Sequence, residues 1–271
     1  MAVCMREWLG RSLGELRFEP LGQRLRASLA GTPLLDTDRG RLVWEPQRLV
    51  ATYAVPLEDV LVPVVPIGAS GSQLPADLPR FLDPRIPFGV HTTAGEQVEL
   101  RIAEGEDAVV AGFRPDDTDL AGYVVVEFDG PDEWWADGDR VHAHPRDPFH
   151  RIDVTAASRP VRIEHDGDLV AVTDDALLLY ETSVPVRTYV PVEDVVVPLL
   201  PSTTITWCAY KGRATYRSAA LPDRVLDDIA WCYEDPAPEV GRIRGRVAFW
   251  DERVDVTVGG VTRPRPETPW S

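Results

Sequence analysis

The sequence is poor in cysteine, in positive charge and in long apolar stretches, and each shortage argues against a class of protein. Its three cysteines, Cys4, Cys208 and Cys232, are too few for a disulfide framework, so we expect a reduced, cytoplasmic chain. It has no run of 18 apolar residues, which argues against a membrane-spanning helix and a membrane partner. Lys and Arg total 28 against 44 Asp and Glu, and a net charge of −16 disfavours a nucleic-acid partner.

What the sequence does contain is an internal repeat. Hydrophobic residues make up 44% of the 271, which is enough to form a core. Residues 31–53 match residues 167–189 at 8 of 23 positions, with a shift of 136. Residues 56–66 match residues 191–201 at 7 of 11 positions, with a shift of 135. Two adjacent matches in register predict two copies of one module.

The repeat sets the predicted domain boundaries. We expect a first, degenerate module over 18–130 and a linker over 131–148. A second, complete module follows over 149–262, and an extended tail over 263–271. The first module is longer between its matched segments, and we assign the excess to a Pro-rich insertion near 67–88.

The local pattern predicts strands in both modules. Short segments rich in β-branched and aromatic residues alternate with turn residues, which is typical of antiparallel β-structure. Asp166-Gly167 predicts a two-residue hairpin turn and Lys211-Gly212 a second tight turn. The best candidates for short helices are 11–18 and 223–230. The predicted fold class is all-β, with two tandem antiparallel modules and little helix.

The chain also resembles tandem members of the domain-of-unknown-function 427 family, which is common in bacteria. The resemblance rests on five strings: HPRDPFHRIDV (144–154), YETSVPVRTYVPVEDV (180–195), TWCAYKGRATY (206–216), AWCYEDP (230–236) and RPRPETPWS (263–271). It implies a tent-like β fold similar to methionine-R-sulfoxide reductases and the thalidomide-binding module of cereblon. Domain catalogues also give the family a name that suggests nucleotidyl transfer. Many relatives of that fold hold zinc with two Cys-x-x-Cys pairs, which this sequence lacks, so we expect no metal and no other cofactor.

Cys208 and Lys211 are the candidate catalytic pair. A nearby ammonium lowers the pKa of a thiol and makes it a better nucleophile, and both residues lie close to a predicted turn. The alternative is a packed cysteine beside a turn lysine.

Four further residues are candidates for binding a ligand from the second module. Arg187 and Tyr189 are two apart on one strand and share a face that suits a carboxylate or phosphate. The alternative is a solvated face on which Arg187 pairs with Glu181 or Asp194. Trp231 and Tyr233 share a face in the same way and would form a pocket wall or, alternatively, part of the core.

The acidic residues and histidines carry weaker hypotheses. Glu181 and Asp194 suit acid–base work if one of them is shielded from water. The first module keeps equivalents of several acidic residues, but it has Ala51 in place of Arg187, and His91 and Ala94 opposite Cys208 and Lys211. What only the second module holds is the better candidate for a site.

The histidines at the junction between the modules match no standard ligand spacing, and we expect them to be structural. They are His142, His144 and His150.

Two functions follow from these residues. The first is a module, or an enzyme, that binds a small anionic molecule such as a nucleotide in a pocket of the second module. The second is a non-catalytic protein-interaction or assembly module, with a homodimer as one outcome. The sequence leaves open whether the protein is an enzyme.

Overall fold

The protein divides into two compact units in a computed structural model that describes residues 2–70, 79, 81–102 and 108–268. The units are Met1–Asp147 and Pro148–Ser271. Part of the predicted insertion, residues 71–78 and 80, lies outside the described residues.

The first unit holds one helix and eleven strands within its described residues. These elements are α1 (Met5–Ser12), β1 (Arg17–Pro20), β2 (Leu25–Leu29), β3 (Thr32–Thr37), β4 (Arg41–Trp44), β5 (Thr52–Pro56), β6 (Val64–Ser70), β7 (Gly95–Arg101), β8 (Val109–Pro115), β9 (Tyr123–Val126), β10 (Glu133–Ala136) and β11 (Asp139–Arg140). A 3-10 turn, Leu57–Asp59, follows β5.

The second unit, as far as the structure describes it, also has eleven strands. They are β12 (Ile152–Ala156), β13 (Val161–His165), β14 (Asp168–Thr173), β15 (Leu177–Glu181), β16 (Val184–Pro191), β17 (Leu199–Cys208), β18 (Gly212–Ala220), β19 (Val225–Tyr233), β20 (Arg246–Phe249), β21 (Asp255–Val258) and β22 (Val261–Thr262). Two 3-10 segments, Val192–Asp194 and Pro238–Ile243, complete it.

The two units share one strand order. In the first, a seven-stranded antiparallel sheet runs β1-β4-β5-β9-β8-β7-β6, and in the second it runs β12-β15-β16-β20-β19-β18-β17. A four-stranded sheet runs β11-β10-β2-β3 in the first unit and, from the equivalent end, β22-β21-β13-β14 in the second. The all-β, antiparallel prediction with little helix is confirmed, and the tent-like shape stays a prediction.

Both helix predictions are wrong. The helix α1 begins earlier and shares only Arg11 and Ser12 with the range 11–18, and 223–230 falls mainly in β19. Leu226 is buried between exposed neighbours, Ile229 and Ala230 are both fully buried, and β19 pairs with β18 on one side and β20 on the other. Ladder hydrogen bonds on both sides therefore override the helical character of the local sequence.

The segment expected to be a linker, 131–148, is mostly part of the first unit. Strand β10 pairs with β2, and β11 pairs with β10. Trp134 is buried, and its ring centroid lies 5.1 Å from that of Tyr53. The acidic and polar composition hid a strand that carries this core tryptophan, and the units divide at Asp147–Pro148 instead.

The predicted hairpin turn at Asp166-Gly167 is confirmed. His165 pairs with Asp168, and the two residues between them have φ of +51° and +89°. Positive φ at both central positions defines the type I′ turn that matches the twist of a hairpin.

The shift between the two copies changes from 136 to 135 residues, and the structure places this one-residue difference before β5. Leu42 pairs with Tyr53, whereas its counterpart Leu178 pairs with Thr188. Ala54 is thus the structural equivalent of Tyr189. Because neighbouring residues of a strand face opposite ways, the two matching tyrosines occupy different faces of their sheets. Tyr53 packs with the core between the sheets, and Tyr189 packs on the other face.

The second unit has an apolar cluster on each face of its seven-stranded sheet. One cluster fills the space against the four-stranded sheet and includes Val190, Phe249 and Ile163. The other, which we call the outer core, lies under the 3-10 segment Pro238–Ile243. Its members are Leu177, Leu179, Tyr189, Ala214, Trp231, Tyr233, Val240, Ile243 and Ala248. The outer core holds several of the predicted site residues.

A fragment of residues 148–271 is expected to fold alone, because this unit has its own clusters of buried residues. Its urea unfolding should be a single cooperative transition by fluorescence and circular dichroism. A matched fragment that begins after β12 should not fold, since that strand pairs with β15. A broad melt of the longer fragment would show that the units depend on one another.

Candidate functional site

Four of the predicted ligand-binding residues lie close together, but they are packed in the protein interior. Arg187, Tyr189, Trp231 and Tyr233 are all buried in or beside the outer core. Trp231 Nε1 donates to Tyr189 Oη at 3.2 Å. Burial raises the pKa of both tyrosines well above the usual value, so neither phenol ionises near neutral pH.

Arg187 is buried in an ion pair with Glu252 and is not on a solvated face. Arg187 is 5% exposed, and its guanidinium donates two 2.7 Å hydrogen bonds, one to each carboxylate oxygen of Glu252. The guanidinium carbon, Cζ, lies 5.7 Å from the ring centroid of Trp231 and 5.5 Å from that of Trp250. The expected partners, Glu181 and Asp194, are therefore replaced by a residue 65 positions along the chain.

The carboxylate of Glu252 is held ionised. Burial alone would raise its pKa, but hydrogen bonds from Arg187 and Thr268 outweigh burial and lower it. Thr268 Oγ1 donates to Glu252 Oε1 at 2.7 Å, so the C-terminal tail contributes to this ion pair.

Lys211 also has a carboxylate partner inside the unit. Its ammonium donates to Glu181 Oε2, and His150 Nε2 lies 3.2 Å from Glu181 Oε1. The His150 ring stacks on Tyr210 at a centroid distance of 3.8 Å. Burial raises the pKa of Glu181, but His150 and Lys211 outweigh it and the net shift is downward. Lys211 is the only lysine in the sequence.

Cys208 ends β17 and packs, half-buried, against the outer core. No hydrogen bond joins its thiol to Lys211 within the described residues, and the lysine is directed to Glu181. Asp194 lies in the 3-10 turn beyond the far end of β16 and is not brought to the other candidates. Among the residues that the structure describes, no three His, Cys, Asp or Glu side chains are arranged to hold a metal ion.

The first unit contains a related buried glutamate. Glu45 accepts from the backbone N–H of Thr92 at 2.7 Å and lies 2.9 Å from His91 Nδ1. The His91 ring stacks on Phe113 at 3.7 Å. A buried glutamate with a histidine partner thus occurs in both units, which favours a role in the shared fold.

The ladders correct the expected equivalences between the units. Across three neighbouring strands of the first unit, Ala54 pairs with Val125 and Val125 with Phe113. The equivalent row in the second unit is Tyr189, Ala248 and Trp231. In the next strand outward, Gln97 pairs with Phe113 and Tyr216 pairs with Trp231, so Gln97 corresponds to Tyr216. Five residues earlier in each chain segment, Thr92 and not Ala94 corresponds to Lys211. By the same register, Thr52, not Ala51, is the counterpart of Arg187. Arg187, Tyr189 and Lys211 all lack a like counterpart in the first unit.

A concave site of the second unit lies elsewhere, under the C-terminal tail. The tail is held by Arg265, which donates to Asp255 at 3.0 Å, and by Thr268 on Glu252. Between tail and sheet is a cleft of about 390 Å³, which we call the tail cleft. Its lining residues are Pro185, Val186, Asp251, Val254, Val256, Arg263, Pro264 and Pro266. Sequence reasoning missed this site because a Pro-rich tail gives no pattern that predicts where it packs.

Asp251 is the unusual residue of the tail cleft. It is 8% exposed, and among the described residues its side chain makes no hydrogen bond and no salt bridge within 4 Å, although Arg187 and Arg263 lie near enough to act on its charge. Burial raises its pKa to about 7, more than Arg187 and Arg263 lower it. Two residues past β9, at the position that matches Asp251, the first unit has Phe128. That contrast with Asp251 was the signal available in the sequence.

These features define the second unit as a two-sheet antiparallel β module with internal ion pairs and a tail-covered cleft. Residues 153–260 match the model of the domain of unknown function 427, DUF427. The chain therefore carries a DUF427 domain, and its second unit belongs to that family. No curated protein matches the chain. Within the described residues, no helix is both long enough and apolar enough to cross a lipid bilayer.

Replacing Lys211 by Met is expected to leave the thiol chemistry of Cys208 unchanged, because Lys211 pairs with Glu181. The pH profile of Cys208 alkylation, followed by mass spectrometry, should match that of the parent, with Cys232 as an internal control. The same variant should lose about 2–4 kcal/mol of unfolding free energy, since among the described residues Glu181 keeps only His150 as a side-chain partner. A Cys208 profile that moves to higher pH would instead establish a coupled Cys–Lys site.

Proposed function

We propose that the second unit is a binding module for small anionic molecules and that the tail cleft is the binding site. The observation that carries the proposal is Asp251, a buried carboxyl group that lines the cleft with no side-chain partner among the described residues. The carboxyl oxygens are not among the fully enclosed side-chain atoms of the described residues that lack a hydrogen bond, so they open to the cleft. A ligand in the cleft would supply a hydrogen bond to them.

The lining of the tail cleft supports a small-molecule ligand. Six of its eight lining residues are valine or proline, and only Asp251 and Arg263 carry ionisable side chains. Apolar walls with a few polar groups are typical of small-molecule sites, although about 390 Å³ is near the lower end of their size range. The ligand would thus be a small, mainly apolar molecule with one polar end.

The local charge favours an anion. The charges of Arg187 and Glu252 cancel within their ion pair. Arg263 has no salt-bridge partner within the residues described, and Asp251 is about half neutral near pH 7 and mostly neutral below it. The tail cleft then carries a net positive charge, although the chain as a whole is strongly acidic. An anion would pair with Arg263.

The test is a set of matched probes added to the ¹⁵N-labelled protein. Benzoate offers a carboxylate on an apolar ring, benzamide is its neutral analogue and benzylamine its cationic one. Benzoate should shift the amide signals of Val186, Val254 and Val256, and the neutral and cationic probes should shift them much less. Adenosine monophosphate tests for a nucleotide ligand at the same signals. Shifts confined to the surroundings of Cys208, or no shifts with any anion, would contradict the proposal.

A second candidate function is protein interaction through β17. This ten-residue strand is the outermost of its sheet in the described structure and carries no charged residue. Ile205 and Trp207 on it are 47% and 46% exposed. Natural edge strands are usually protected by charge, and an unprotected one pairs readily with another strand. Analytical ultracentrifugation should then show a dimer that Ile205→Lys dissociates, and a monomer at every concentration would exclude it.

A further inference from the structure

We infer that Asp251 recognises its ligand as a protonated carboxylic acid, so that the tail cleft binds a carboxylate together with one proton. The inference rests on the proposed function and names the ligand class of the same site. The acid O–H of Asp251 would donate to one ligand oxygen, and Arg263 would pair with the negative charge. The proton is either already on Asp251 or is taken up from solvent as the ligand binds.

The surroundings of Asp251 support this protonation state. The charged groups near it are Arg187 on β16, Glu252 on its own turn and Arg263 on the tail. Arg187 already gives two hydrogen bonds to Glu252, so it is not available to hold a second ionised carboxylate in the same geometry. Glu252 is a like charge next in sequence and opposes ionisation of Asp251.

A neutral acid is also the form that suits a carboxylate ligand. Two ionised carboxylates side by side repel each other, whereas an acid and a carboxylate share a short, charge-assisted hydrogen bond. The pKa of Asp251, raised to about 7 by burial, keeps a large part of the protein in the acid form at neutral pH. Binding a carboxylate would raise that pKa further, which is the thermodynamic counterpart of proton uptake.

The experiment is calorimetric titration of the full chain with benzoate across pH. Benzoate stays ionised from about pH 6 upwards, so any pH dependence belongs to the protein. Affinity should fall about tenfold for each pH unit above about 7, or roughly 30-fold between about pH 6 and about pH 8.5. Titrations in buffers of different ionisation enthalpy should show uptake of nearly one proton at about pH 8.5.

Two variants separate Asp251 from other causes. Asp251→Asn keeps a hydrogen-bond donor but cannot titrate, so it should bind benzoate with nearly the same affinity at both pH values and take up no proton. The matched control is Asp235→Asn, which removes an exposed carboxylate that pairs with Arg244 and does not line the cleft. It should keep the parent's pH dependence. If Asp251→Asn does not fold, proton uptake by the parent protein still decides the question.

The outcomes distinguish the inference from the proposed function. Benzoate that shifts the cleft signals but binds with pH-independent affinity and no proton uptake would overturn the inference and leave the binding module standing. Benzylamine that binds there more tightly as pH rises would show Asp251 acting as an anion and overturn both. Both are also overturned if no probe affects the cleft.

Discussion

Replacing Arg187 by Met is expected to lower the unfolding free energy by about 3–5 kcal/mol, because it leaves a buried carboxylate without its charge partner. The side chain of Glu252 is completely buried, and both of its oxygens accept from Arg187. Thr268 would remain as a hydrogen-bond donor, but it cannot supply the opposite charge. Urea unfolding near neutral pH, where Glu252 is ionised, measures the loss.

Two controls test whether the loss belongs to the buried ion pair. Arg244 pairs with Asp235 on the surface, and Arg244→Met should cost less than about 1 kcal/mol. Joining Glu252→Leu to Arg187→Met should recover much of the stability, because no unpaired charge then remains inside. A loss for Arg187→Met as small as that for Arg244→Met would show that Glu252 reaches water.

Asp251→Asn is expected to stabilise the protein at alkaline pH by up to about 4 kcal/mol. Burial raises the pKa of Asp251 from its ordinary value of 3.8, which applies to the unfolded chain, to about 7 in the folded protein. Between these values the folded protein holds a proton that the unfolded chain has lost, so this group's contribution to stability decreases as pH rises. Each pH unit within that window is worth about 1.4 kcal/mol. Above pH 7 the full penalty of a buried carboxylate remains.

The measurement compares urea unfolding of the parent and Asp251→Asn at about pH 4.5 and about pH 8. The difference between the two proteins should be small at the lower pH and largest at the higher one, because asparagine resembles the protonated acid. Taking the difference removes the contribution of every other titrating group. A difference that is equal at both pH values would place the pKa of Asp251 near its ordinary value.

Much of the architecture could be predicted from the sequence because it depends on local patterns. The repeat and the alternation of β-branched residues predicted an all-β chain, and the structure shows the same strand order in both units. Sequence identity gave the wrong equivalences where strand register decides which face of the sheet a side chain occupies. Tyr53 and Tyr189 are aligned as identical, yet a one-residue drop before β5 sends them to opposite faces.

The site could be predicted only in part, because its partners are distant along the chain. The two-residue spacing of Arg187 and Tyr189 predicts that they share one strand face, and in the structure both contact Trp231 on that face. The partner of Arg187 is 65 residues away, on a turn after β20, and no spacing rule predicts it. The tail cleft depends on the contacts of residues 263–268 with that turn and with β21.

The most direct test of the account is the titration of the Asp251 carboxyl group, followed by its ¹³C chemical shift with and without benzoate. Asp251→Asn identifies the signal. We expect a midpoint near pH 7 in the free protein and a higher midpoint when benzoate is bound. A midpoint near 4, or one that benzoate does not move, would contradict a protonated Asp251 as the recognition group of the tail cleft.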